Sequence, residues 1–137
     1  MKAFPILAAG ALLACCAPVP AGPAGPLACP VTGSGDWRAW INAMPGPNAR
    51  PTLIVTGKVT APTAGYHFAW FDPAIMESYP VQVALHLNAH PPAGPAAQVV
   101  TTYDVRGEWP MSPPVGSVTV RCGDMVLASI SPVGTAH

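Results

Sequence analysis

Charge is scarce in this 137-residue chain: six basic and six acidic residues cancel, and together they make only 9% of it. A nucleic-acid face needs clustered cations. Arg38, Arg50, Lys58, Arg106 and Arg121 stand singly along the sequence, which excludes that class of partner. Paired-carboxylate chemistry needs two acids held close together. Here Glu77 and Glu108 are the only glutamates, and both fall near prolines in segments that read as loops. No Gly-x-Ser-x-Gly elbow occurs. Gly33-Ser34-Gly35 is a loop sequence, and Ser78, Ser112, Ser117, Ser129 and Ser131 have no local pattern tying them to His and Asp. A phosphate-cradling glycine loop is also lacking. These absences point away from an enzyme and from any cofactor.

Long apolar runs are missing too. The stretch from Ala3 to Ala14 covers about a dozen residues and contains Pro5, whereas a spanning helix needs roughly 20. Extension past Cys16 meets Pro18, Pro20, Pro23 and Pro26. With Lys2 ahead of it, the stretch has the size of a signal-peptide core. Leu12, Leu13, Ala14 and Cys15 follow the bacterial lipobox pattern position by position, so residues 1–14 read as a lipoprotein signal and Cys15 as the acylated first residue. The competing reading is an ordinary secretory signal, but cleavage after Ala17 or Gly22 would put proline at the new terminus. One acyl chain holds only reversibly, at about 0.8 kcal/mol per methylene. Two or three chains on Cys15 make the membrane lipid a permanent partner. By resemblance to Gram-negative lipoproteins, the lack of Asp after Cys15 implies the outer membrane, facing the periplasm.

What the chain has in excess is proline, 19 residues, and glycine, 13. Residues 15–28 carry four of those prolines, no charge and little to pack, so they read as an extended tether. Fully stretched, such a segment reaches roughly 35 Å. Residues 29–137 then form one domain. Cys29 and Cys122 lie at its two ends, in a compartment where disulfides form, and a bridge between them is favoured over two free thiols. No Cys-x-x-Cys spacing supports metal binding by these cysteines. Cys16 has no partner in this scheme.

Periodicity within the domain predicts one short helix and about six strands. From Gly35 to Met44, Asp36 reads as a cap, and Trp37, Trp40, Ile41 and Met44 fall on one helical face before Pro45-Gly46-Pro47 stops it. Two tryptophans on a face suggest core, or alternatively a sugar-stacking platform. From Leu53 to Thr60 the period becomes two, with Gly57 as a bulge or close approach. Further strands follow at Tyr66–Phe71, Val81–Asn88, Val99–Val105 and Val118–Cys122, and a Gly123-Asp124 turn returns through Val126, Ala128 and Ile130. The expected fold is mainly β: an antiparallel, immunoglobulin-like sandwich or a small barrel with one N-terminal helix.

Two features invite a functional reading. His86, Asn88 and His90 alternate with leucines and so share one strand face, where two imidazoles suit copper or zinc. A solvent-facing polar face explains them equally, and no metal ligand is assigned. The loop from Pro110 to Val115 is either a rigid segment displayed to a partner, as in a protease inhibitor, or a plain connection.

Cys29-Pro30, the run Gly35-Asp36-Trp37-Arg38-Ala39-Trp40-Ile41-Asn42-Ala43-Met44-Pro45-Gly46-Pro47, and Leu53-Ile54-Val55-Thr56-Gly57-Lys58-Val59 resemble uncharacterised small lipoproteins of proteobacteria. The resemblance implies a lipoprotein with a β domain and carries no activity. The expected function is a lipid-anchored, non-enzymatic binding or structural module of the cell envelope. The alternative is an inhibitor or a lipoprotein that binds a small ligand or metal.

Overall fold

A computed structural model describes residue 3 and residues 29–112 and 114–137. The signal, Cys15, Cys16 and the tether lie outside the described residues. The described residues form nine strands: β1 (Gly33–Asn42), β2 (Thr52–Ala61), β3 (His67–Trp70), β4 (Ala74–Met76), β5 (Val81–His90), β6 (Thr101–Pro110), β7 (Val115–Cys122), β8 (Met125–Ile130) and β9 (Gly134–Ala136). They form two sheets, ordered β6-β2-β1-β9 and β3-β5-β7-β8, with β4 beside β3 on the free side of β5. The architecture is a β-sandwich rather than a closed barrel.

The expected helix is a strand. Trp37, Ala39 and Ile41 also alternate, and it is this period that the structure uses. They face the core, while β1 pairs antiparallel with β2 from Gly33↔Thr60 to Asn42↔Thr52. Aromatic and β-branched residues favour a pleated surface. Proline at 45 leaves too short a run for a helix to stand on local propensity. Asp36 is not a cap: it sits at φ 55° in a β-bulge, where Asp36 and Trp37 together oppose Gly57. Asp is among the few side chains that tolerate this left-handed region. Trp40 points away from the core towards the outer-face Ile54, and Met44 is exposed.

Gly57 is indeed a close approach. A Cβ there would lie 2.2 Å from Cε3 of Trp37, and one at Gly107 would lie 2.2 Å from Cη2 of Trp109. Each indole lies against bare backbone of the first sheet. Trp70 from β3 stands edge-on to both, with ring centroids 6.5 Å from Trp37 and 5.4 Å from Trp109. The strand expected over Val99–Val105 instead begins at Thr101 and runs through Gly107 to Pro110, and all ten residues of β6 pair with β2.

Two pairs are parallel, β5 with β7 and β1 with β9, against the all-antiparallel expectation. The chain leaves the second sheet after β5, lays β6 on the first, and comes back to β7 in the same direction as β5. Such a crossover makes parallel neighbours. Between the sheets, Ile41, Leu53, Val55, Val83, Leu85, Val115, Val118 and Val120 form the main core cluster. A second cluster joins Val31, Val59, Leu87, Val105 and Cys122. Each fully buried side chain of this type contributes about 1.5–3 kcal/mol. No polar or charged residue is buried among the described residues, although the indole Nε1 of Trp37 is enclosed without a hydrogen-bond partner.

Candidate functional site

The two clusters define the ends of the sandwich. The smaller one holds Val59 and Val105 of the first sheet against Leu87 and Cys122 of the second, so Cys29, Ala61, His67, His90 and Cys122 gather at one end. Cys29 and Cys122 are joined there by a disulfide across 93 residues of sequence. The N-terminal end of the described domain is thereby fastened to an inner strand. The opposite end carries Asn42, Thr52, Pro110, Val81 and Val115.

Between Phe71 and Tyr79 the margin of the second sheet is apolar and open to solvent. Phe71 is 55% exposed, Ile75 53%, Met76 55% and Tyr79 87%. Phe71 is held by its N–H donating to the carbonyl of His86 at 3.0 Å, and Ile75 lies opposite Val83 on β5. Among the described residues no strand covers the edge beyond β4, so Ile75 points to the core side of the sheet yet stays wet. Asp72 and Glu77 flank these residues, and neither is within ion-pair reach of a described cation. The two ion pairs among the described residues are Lys58–Asp104 at 3.9 Å and Arg106–Glu108 at 2.7 Å, both on the first sheet. Single exposed apolar residues are ordinary; a run of four with acidic flanks at one sheet margin is the candidate contact surface. Nothing in the sequence marked it, because β4 is only three residues long and its period is too short to read.

The other candidates fare differently. His86 and His90 do share the outer face of β5, but four residues of strand separate them by about 13 Å. They cannot hold one ion. Instead His90 stands opposite His67 of β3, a juxtaposition that appears only once the strands are paired. Among the described residues, no group of three or more His, Cys, Asp or Glu side chains is placed to hold a metal. The Pro110–Val115 segment is pinned at both ends: Met111 N–H donates to Pro51 O at 2.9 Å, and Pro114 O accepts from Val81 N–H at 3.2 Å. This geometry fits a connection from β6 to β7 better than a displayed loop. A shallow depression of about 290 Å³ on the first sheet is lined by Asp36, Thr56, Lys58, Asp104 and Arg106, with the Lys58–Asp104 pair crossing it. Trp37 and Trp40 form no shared stacking platform either, since Trp37 packs on Gly57 inside the sandwich and Trp40 lies on the opposite face of β1.

Comparison with protein-family models, with curated proteins and with solved structures finds no match to this chain.

Proposed function

We propose that this chain is a lipid-anchored binding module of the bacterial cell envelope. Acylated Cys15 would hold it to the membrane, by preference the outer membrane on its periplasmic side, and the Phe71–Tyr79 margin would meet a protein partner. The observation that carries this reading is the division of the sandwich. The disulfide-fastened Cys29, where the tether enters, lies at one end. The exposed Phe71, Ile75, Met76 and Tyr79 lie along the free margin that leads to the other. Their acidic neighbours Asp72 and Glu77 suit a partner surface that is apolar with basic flanks, because complementary charge guides encounter and register.

Site-specific photo-crosslinking in intact envelopes tests the contact. A crosslinker placed at Tyr79 is expected to give one discrete adduct, and the same group at Arg121, on the outer face of β7, none. Ile75→Asp should abolish the adduct while changing stability by no more than about 0.5 kcal/mol, as usual for an exposed position. Equal adducts from both positions, or an adduct that survives Ile75→Asp, would remove the margin from the account.

A further inference from the structure

We propose that His67 and His90 form a two-histidine site for one divalent late first-row metal ion, copper(II) above nickel(II) or zinc(II). The two residues are direct partners in the antiparallel β3–β5 pair. The bond from Phe71 N–H to His86 O continues that ladder, and stepping back two residues at a time makes Ala69–Asn88 and then His67–His90 hydrogen-bonded pairs. In such a pair the Cα atoms are about 5.5 Å apart and both side chains leave the sheet on the same face. Two imidazoles so placed can meet a common ion at roughly 2.0–2.1 Å each. Both residues are exposed, so water can complete the coordination.

Asn88 lies on the same face, and its Nδ2 donates to Nε2 of His90 at 3.1 Å, a bond that an ion taking the Nε2 lone pair replaces. The Cys29–Cys122 bridge closes the same end of the sandwich, so the backbone carrying both histidines is anchored. Imidazole nitrogens with open water positions suit copper, nickel and zinc, and affinity among them peaks at copper.

The test uses the full-length chain in detergent, without a histidine tag and with free thiols alkylated, titrated with copper(II) and followed by electron paramagnetic resonance. The parent should bind one ion with the splitting of two nitrogen ligands. Loss of an outer-shell partner alone costs about 10–100-fold in metal affinity. His67→Asn and His90→Asn should therefore each weaken binding at least about tenfold, at unchanged melting temperature. His86→Asn, on the same face but out of reach, should leave binding as it is. Parent-like binding in His67→Asn or His90→Asn would overturn the assignment. So would a parent that binds no more copper than the His67→Asn/His90→Asn chain, or equal loss on changing His86 or His137.

Discussion

A chain carrying Cys29→Ala and Cys122→Ala is expected to melt roughly 10–20 °C below the parent, because its unfolded state regains the freedom that a long closed loop denies it. The bridge spans 93 residues. For a loop of that length the chain-entropy relation gives about 4–5 kcal/mol, at the upper end of what native disulfides contribute. Both half-cystines sit where the loss is felt. Cys122 is 2% exposed within the smaller core cluster, and Cys29 packs against that cluster. Replacing both with alanine also removes the sulfur of Cys122 from the core cluster it shares with Val31, Val59, Leu87 and Val105, and the sulfur of Cys29 packed against it. Denaturant titration of parent and variant would measure the effect. A difference below about 1 kcal/mol would mean that the unfolded chain is already compact enough for the cross-link to restrain nothing.

Gly57→Ala is expected to cost about 3 kcal/mol, a large penalty for one methyl group. Its Cβ would fall 2.2 Å from Trp37, so the indole or the β1–β2 ladder must move. Overpacking of this sort costs about 1–3 kcal/mol, occasionally more. The indole is also confined on its far side by Trp70, edge-on with centroids 6.5 Å apart. The penalty should shrink when the ring is removed. In a double-mutant cycle, Gly57→Ala and Trp37→Leu should couple by about 0.5–3 kcal/mol, as contacting residues do. Independent effects would contradict the strand assignment of residues 33–42, because a helical Trp37 would not lie on Gly57.

The same contact shows how much of the fold was legible beforehand. The strands with clean alternation, Leu53 to Thr60 and Val81 to Asn88, appear where their period places them. The Cys29–Cys122 pair followed from compartment and count alone. The segment from Trp37 to Met44 misled because Trp37, Trp40 and Ile41 satisfy a helical period while Trp37, Ala39 and Ile41 satisfy a strand's. Which of the two periods the segment adopts is decided by whether a neighbouring strand can take it up. β2 can, since Gly57 makes room for the indole. Gly107 reads as a breaker in isolation and acts as a seat for Trp109 in the folded chain. The short β4 and β9 strands have three residues each, too few to show any period. The His67–His90 pair and the Phe71–Tyr79 margin depend on cross-strand placement and edge exposure, which sequence order does not encode.

Central to the account is an anchor at Cys15 ahead of a disulfide-fastened domain, and intact-mass measurement of the protein recovered from bacterial membranes tests it most directly. The parent should have the mass of a chain beginning at Cys15 plus two or three acyl chains, and Cys15→Ser should leave the membrane fraction without them. A parent of unmodified mass, or a Cys15→Ser protein still in the membrane fraction at the parent's mass, would contradict the account.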